Sequence, residues 1–309
     1  MMTLVSTRDM PRGEWLEHRK TGIGGSDAAA IVGMNPYVTP FALWADKTGR
    51  MPAKEDNEAM RQGRDLEQYV ADRFTEQTGK KVRRRNQILR NEEYPFAHAN
   101  IDRDVIGERA GLECKTTTSL NLRKFRNGEF PDTYYTQCVH YLAVTGYDRW
   151  YLAVLIFGTD FKVFTIERDE EEIAALMEAE KFFWNSFVLP DVPPAVDGMT
   201  PTGDAINAMY ANPAGGSTLL ARSKELDELA QMEQQEKLLK RLIEKTKQQI
   251  KSDLGECTEG ICPGWKITWK PQTRTRFDVN RFAKDNPGID LSKYYTASTS
   301  RVLRIKEDK

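Results

Sequence analysis

Two acidic residues and one lysine stand close together in the first half of the chain. Asp102 is followed, after ten intervening residues, by Glu113 and Lys115, which Cys114 separates. Because side chains alternate along a strand, Glu113 and Lys115 are predicted to share one face, with Cys114 on the other. Pairing with a strand that carries Asp102 would gather two carboxylates and one ammonium. Two oxygen ligands suit Mg²⁺, and a nearby lysine can orient or deprotonate an attacking water, so the pattern favours phosphodiester cleavage.

The acid-x-Lys pattern is weak evidence by itself, because 29% of the residues are charged. It recurs at Asp160-x-Lys162 and at Glu307-x-Lys309. The first follows a Gly-Thr pair and is expected to be a solvated pair at a hairpin exit. The second falls in the last three residues, where fraying is expected. The neighbours of Glu113 must therefore support the catalytic interpretation.

A predicted helix over residues 57–78 supplies a third carboxylate. Glu67 shares an apolar stripe at helical spacing with residues such as Val70. A carboxylate at such a position is costly unless it is paired or bound to a metal. The commoner alternative is a helix-edge glutamate paired with Arg64 or Arg73.

A glycine-rich turn at residues 22–27 leads into a run of small residues. Ser26 is predicted to be the N-cap of the helix that follows, and the backbone N–H groups of such a turn bind anions readily. A plain helix cap is the alternative. A dinucleotide-binding fold is weakly supported, because residues 19–21 do not form the strand that it requires before the glycines.

The composition narrows the class of protein. The chain has 309 residues and a net charge of −1, so any contact with DNA must come from a local basic groove. The four cysteines form no C-x-x-C pair, which argues against a zinc ribbon and a disulfide framework. With no signal peptide or long apolar run, we expect a soluble protein in the cytoplasm of a bacterium or a phage-infected host.

The predicted elements give an α/β (α+β) chain, in which a mixed central sheet is flanked by helices. Gln137 and Tyr141 share a face of a predicted helix over residues 132–145. Further helices are predicted from Pro40 and from the acidic run at 169–172. The predicted strands cover residues 82–89, 96–106, 111–117, 150–156 and 161–166.

Four segments are predicted along the chain. They are a catalytic domain over 1–190, a linker over 191–217, a long charged helix over 218–254 and a small basic β-rich extension over 255–309. The long helix has a narrow apolar stripe that requires a partner. Eleven Lys and Arg against seven Asp and Glu give residues 256–309 a charge of +4. That tail could bind the DNA backbone, or form an ordinary two-stranded cap.

Residues 12–190 resemble the YqaJ-type viral recombinases, which are relatives of phage lambda exonuclease in the PD-(D/E)XK nuclease superfamily. The ordered set that carries the resemblance is Trp15 to Arg19, Gly24-Gly25-Ser26, Gly63 to Glu67, Asp102, Glu113-x-Lys115 and Gln137 to Tyr141. The chain departs from the superfamily pattern at Ile101, where a proline is usual, and at Arg103, where a glycine is usual. The resemblance implies a restriction-endonuclease-like fold for this region.

The resemblance also assigns roles by position. Asp102, Glu113 and the backbone carbonyl of Cys114 would hold two Mg²⁺ ions, for which Mn²⁺ can substitute. Lys115 would position the water. Three further roles are implied, each at its matching position: Glu67 completes the site, Gln137 and Tyr141 support it, and Arg19 and Ser26 bind a 5′-terminal phosphate.

The activity implied is a Mg²⁺-dependent 5′→3′ exonuclease on linear double-stranded DNA, which acts in phage recombination by two-metal hydrolysis. The implied partners are a single-strand annealing protein and further copies of this chain in a ring around DNA. Two alternatives stay open. One is a structure-selective endonuclease or nickase on the same fold, and the other is a catalytically silent DNA-end-binding protein.

Overall fold

The computed structural model describes residues 2–52, 56–297 and 301–305, which belong to two units, residues 1–212 and 213–309. The strands of the first unit are β1 Met2–Ser6, β2 Ile23–Gly24, β3 Val82–Arg84, β4 Gln87–Arg90, β5 Ala97–Ala99, β6 Arg103–Val105, β7 Ala110–Thr117, β8 Arg149–Ile156 and β9 Asp160–Glu167. Its helices are α1 Arg12–Lys20, α2 Gly25–Ile31, α3 Pro40–Lys47, α4 Glu58–Thr78, α5 Asp132–Thr145, α6 Glu170–Phe183 and α7 Thr200–Met209.

The larger sheet of the first unit is mixed and has the order β3-β6-β7-β8-β9. Strands β7 and β8 are parallel, with Glu113 opposite Leu152 and Lys115 opposite Val154, and the other pairs are antiparallel. Helix α4 covers one face through buried residues that include Phe74, and α5 lies on the opposite side. The predicted mixed sheet flanked by helices is therefore confirmed.

The predicted strand over 96–106 is wrong in its continuity. The chain leaves β5, which belongs to a four-stranded sheet of order β1-β4-β5-β2, and enters β6 of the larger sheet. Asn100 and Asp102 lie between the two strands, outside the backbone hydrogen-bond pairing of both sheets. Side chains compensate, because the Tyr141 hydroxyl donates to the Asn100 carbonyl at 3.2 Å and Arg103 donates to the Asp102 carbonyl at 2.8 Å.

The predicted strand over 82–89 is likewise divided into β3 and β4, which lie in different sheets. The predicted linker over 191–217 is wrong for part of its length, since α7 lies inside it. The Thr202 and Thr39 hydroxyls are 2.7 Å apart, and Ala205 is fully buried, so α7 packs on the body of the first unit.

The second unit contains a 32-residue helix, α8 Ser223–Leu254, the hairpin β10 Glu259–Cys262 and β11 Trp265–Thr268, and helix α9 Val279–Asp285. No side chain of α8 is buried. Residues 294–305 belong to the predicted β-rich extension, but they form no strand in their described part, and Glu307-x-Lys309 lies outside the described residues. None of the helices in the described ranges has the length and apolarity needed to cross a bilayer.

Candidate active site

The central strand β7 presents Glu113 and Lys115 to helix α5. The Lys115 ammonium lies 2.6 Å from Glu113 Oε1, and it donates to Gln137 Oε1 at 2.9 Å. Gln137 Nε2 in turn donates to Glu113 Oε1 at 2.8 Å and contacts the Tyr141 hydroxyl at 2.9 Å. The amide of Gln137 therefore holds both members of the acid-x-Lys pair, and Tyr141 orients that amide.

Asp102 reaches the same strand from the crossing between the two sheets. Its Oδ2 accepts a hydrogen bond from the Cys114 backbone N–H at 2.8 Å. Cys114 points to the α4 side of the sheet, where its half-buried side chain joins the apolar cluster around Phe74. The predicted alternation along β7 is thus confirmed, and the structure brings Asp102 beside Glu113.

The charges of this site are not balanced within the protein. Burial and the neighbouring Glu113 and Glu67 carboxylates raise the pKa of Asp102 well above its usual range. Burial alone would lower the pKa of Lys115, but the charge of Glu113 and its hydrogen bond outweigh burial and raise it. The second carboxylate oxygen of Glu113, Oε2, is buried and has no hydrogen-bond partner among the described residues.

A hard cation fits the carboxylates of Asp102 and Glu113. Two carboxylates face the single ammonium of Lys115, so a cation would offset the remaining negative charge and satisfy the buried Glu113 oxygen. Among the described residues, no three His, Cys, Asp or Glu side chains form a group that could hold a metal ion. Mg²⁺ does not require three, because waters, backbone carbonyls and substrate phosphates complete its coordination.

Glu67 lies on the opposite side of the sheet, and two arginines bind it. Arg103 contacts its Oε1 in a close ion pair, and Arg84 donates to the same oxygen at 3.2 Å. The alternative that paired Glu67 with Arg64 or Arg73 is wrong, since those arginines contact Asp56 and Glu76. Glu67 influences Asp102 through its charge.

Arg103 is a site residue that the sequence analysis did not identify. Its side chain is 2% exposed, and it joins Glu67, the Gln68 side chain at 3.2 Å and the Asp102 carbonyl. Arg103 therefore fastens the turn that carries Asp102 to helix α4. A signal was present in the sequence, because an arginine stands where the family pattern has a glycine, but its partners are distant along the chain.

Arg19 and Ser26 are brought together at the start of helix α2. Arg19 Nη2 donates to Ser26 Oγ at 2.6 Å, and the guanidinium stacks over the Trp15 ring at 5.0 Å. The prediction that Ser26 is the N-cap is wrong. Helix α2 begins at Gly25, and Gly24 is its N-cap. The Gly24 N–H donates to Asp27 Oδ2 at 3.0 Å, which is the half of a capping box that a glycine N-cap can form. The Arg19 side chain is 31% exposed and can meet a ligand.

Gly25 lies between the carboxylate site and the pair of Arg19 and Ser26, which we call the Arg19 pocket. A Cβ atom at this position would lie 2.6 Å from the Tyr141 ring and 3.1 Å from Gln137 Cγ. Both distances are shorter than an ordinary van der Waals contact, and at the distance to the ring one of the two groups would have to shift. The backbone of α2 thus packs directly against the two side chains that support Glu113 and Lys115.

His98 lies buried beside the pocket, 4% exposed, and within the described part of the chain neither ring nitrogen has a hydrogen-bond partner. Burial, reinforced by the Lys47 charge, lowers its pKa from 6.5 to about 4. Unfolded chains take up this proton near pH 6.5 but the folded protein does not, so acid between pH 6.5 and pH 4 favours unfolding.

We therefore expect the His98→Gln variant to lose stability less steeply than the parent protein as pH falls. Between pH 7 and pH 5, the difference in the free energy of unfolding should reach about 2 kcal/mol. Urea titrations at both pH values measure it. An unchanged slope in His98→Gln would contradict the assignment.

Comparison with known proteins identifies the family. The model of the YqaJ-like viral recombinase domain matches residues 14–148. The uncharacterized protein YqaJ of Bacillus subtilis (strain 168) is 38% identical over 310 residues, which cover 98% of this chain and 97% of that protein. The chain belongs to the YqaJ-like viral recombinase family.

Two exonucleases are among the solved structures that match part of this chain. The alkaline exonuclease LHK-Exo from Laribacter hongkongensis is 20% identical, with a TM-score of 0.47, and the match covers 56% of this chain and 91% of that chain. A phage-related exonuclease from Haemophilus somnus 129PT is 14% identical, with a TM-score of 0.42, and the match covers 54% and 95%. The YqaJ-like domain match spans the candidate site, from Arg19 to Tyr141.

Proposed function

We propose that this YqaJ-like chain is a Mg²⁺-dependent 5′→3′ exonuclease that acts on linear double-stranded DNA during phage-type recombination. The observation that carries the proposal is the convergence of Asp102, Glu113 and Lys115, with a buried Glu113 oxygen that lacks a partner among the residues that the structure describes. The description of the family as viral recombinases supports a role on DNA. We assign the activity to residues 1–190.

The residues that would hold the metal are Asp102, Glu113 and the Cys114 backbone carbonyl. When bound, Mg²⁺ would lower the pKa of water and neutralise charge on the phosphate, and two ions could share these tasks. Mn²⁺ has the same preference for oxygen ligands and can replace it. Glu67 would act on the same site through its charge.

The side chains of this chain supply the positioning. Lys115 donates a hydrogen bond to the attacking water and stabilises negative charge on the phosphate. Gln137 fixes the Lys115 ammonium and the Glu113 carboxylate relative to each other, so that neither must reorganise during the reaction. Tyr141 holds the Gln137 amide from behind.

The pocket of Arg19 and Ser26 supports the assignment of an exonuclease with 5′ polarity. A guanidinium with a neighbouring hydroxyl is well suited to a dianionic terminal phosphate. An endonuclease does not need to hold a terminal phosphate, so this pocket disfavours that alternative. We further propose that copies of the chain assemble in a ring and cooperate with an annealing protein, since processive digestion needs retention on DNA and the net charge is only −1.

Digestion of three matched DNAs tests the proposal. They are a linear duplex with 5′-phosphates, the same duplex with 5′-hydroxyls, and a covalently closed circle. With Mg²⁺, we expect mononucleotides from the 5′ ends of the phosphorylated duplex, slower loss of the hydroxyl duplex and an intact circle. EDTA should abolish digestion, and added Mg²⁺ or Mn²⁺ should restore it.

Other outcomes would favour the alternatives. Nicking of the circle would favour the endonuclease. A lack of cleavage of all three DNAs, with Mn²⁺ also tried, would leave a DNA-end-binding protein. Release of mononucleotides from 3′ ends would contradict the assigned polarity.

A further inference from the structure

The ammonium group of Lys47 lies inside the protein, behind the pocket of Arg19 and Ser26. Lys47 is the last residue of helix α3, and only 2% of its side chain is exposed. Its Nζ lies 2.6 Å from Asp27 Oδ2 and donates to the Arg19 backbone carbonyl at 2.7 Å. The lysine therefore contacts the pocket from the side away from solvent and does not reach a ligand itself.

Asp27 organises the pocket from within. Its Oδ1 lies 3.4 Å from Arg19 Nη2 and 3.4 Å from Ser26 Oγ, while Oδ2 accepts the Gly24 N–H. One carboxylate thus orients both of the groups assigned to the phosphate. A negative charge at this position would also repel that phosphate.

We propose that Lys47 is a positioning residue for the recognition of a 5′-terminal phosphate, since it cancels the charge of Asp27 and anchors the backbone of Arg19. This inference rests on the proposed function of the Arg19 pocket. With Asp27 and Lys47 paired, the Arg19 guanidinium contributes a net positive charge. Asp27 Oδ1 also lies 3.4 Å from Arg19 Nη2, so without Lys47 its charge would be compensated by Arg19 alone and would weaken the attraction of Arg19 for an anion.

The electrostatics agree with this geometry. Burial alone would raise the pKa of Asp27, but the charges of Lys47 and Arg19 outweigh burial and hold the pKa well below its usual range. Asp27 therefore stays ionised at neutral pH. Neighbouring His98 stays neutral, with its pKa lowered to about 4, and adds no positive charge to replace Lys47.

The ratio of initial digestion rates on 5′-phosphate and 5′-hydroxyl duplexes tests the inference. We expect Lys47→Met to lower this ratio by about tenfold, toward the ratio of Arg19→Ala, because it removes a charge-assisted contact and leaves Asp27 unbalanced. The double variant Asp27→Asn/Lys47→Met should return the ratio to within about threefold of the parent, because an asparagine keeps the shape of the aspartate without its charge. Thermal melting shows that each variant is folded.

Lys20→Met is the matched control. Lys20 lies beside Arg19 in the sequence and pairs with Glu17 at 2.8 Å on the surface. Its replacement by methionine removes one positive charge, as Lys47→Met does, but not from the pocket. It should keep the parent ratio. An equal fall in Lys20→Met and Lys47→Met would overturn the inference.

The outcomes separate the inference from the proposed function. A parent ratio near one would mean that the Arg19 pocket does not recognise the phosphate, and the proposed function fails there. A clear parent ratio that Lys47→Met retains would overturn the inference alone. Failure of the double variant to recover the ratio would also overturn it, even where Lys47→Met does not fold.

Discussion

Replacement of Lys115 by alanine is expected to lower the rate of DNA cleavage by about 10³-fold while DNA binding is retained. The ammonium lies 2.6 Å from Glu113 and 2.9 Å from Gln137, so it is held where charge would develop on the phosphate. Alanine removes that donor and leaves the rest of the strand unchanged. Single-turnover digestion measures the rate, and fluorescence anisotropy with a labelled duplex measures binding.

The chain offers a matched control in its second acid-x-Lys motif. Lys162 lies on β9 and pairs with Asp160 at 3.2 Å, at the surface. Lys162→Ala removes the same charge from the same local pattern and should cleave at the parent rate. Normal turnover by Lys115→Ala would refute the assigned site, as would an equal loss in the two variants.

Replacement of Arg103 by methionine is expected to lower the free energy of unfolding by about 3 kcal/mol and to reduce cleavage as well. The side chain is 2% exposed, and its loss leaves Glu67 with one exposed partner and the Asp102 carbonyl without a donor. The turn that carries Asp102 would then be free to move. Urea unfolding gives the stability, and digestion at saturating Mg²⁺ gives the activity.

Arg84→Met controls for the loss of charge next to Glu67. Arg84 contacts the same Glu67 oxygen, but its side chain is 52% exposed. Its removal should cost less than about 1 kcal/mol, because solvent screens exposed pairs. Comparable losses in the two variants would show that burial of Arg103 does not matter and would contradict the positioning role.

The sequence predicts the structure correctly where the local spacing of apolar and polar residues determines it. Helix α5 was predicted at its observed bounds, residues 132–145, and the alternation along β7 placed Glu113 and Lys115 on one face. These predictions depend on local spacing, which the chain carries within a few residues. The family resemblance predicts in addition that Gln137 supports the Glu113 and Lys115 side chains, which the spacing of residues alone does not indicate.

The interruption at Asp102 and the roles of Arg103 and Lys47 could not be predicted in this way. A strand that changes sheets at Asn100 has the same apolar pattern as one that continues. Arg103 and Lys47 resemble ordinary surface charges in the sequence, because their partners Glu67 and Asp27 lie 36 and 20 positions away. Their burial arises from tertiary packing, which local propensity does not encode.

The absence of a side chain at Gly25 allows two parts of the molecule to pack in direct contact. Helix α2 cannot shift toward α5 without displacing the Tyr141 ring, and Tyr141 cannot move toward α2 without displacing the helix. A larger residue at this position would therefore disturb two places at once: the start of α2, where Ser26 contacts Arg19, and the Gln137 side chain that supports Glu113.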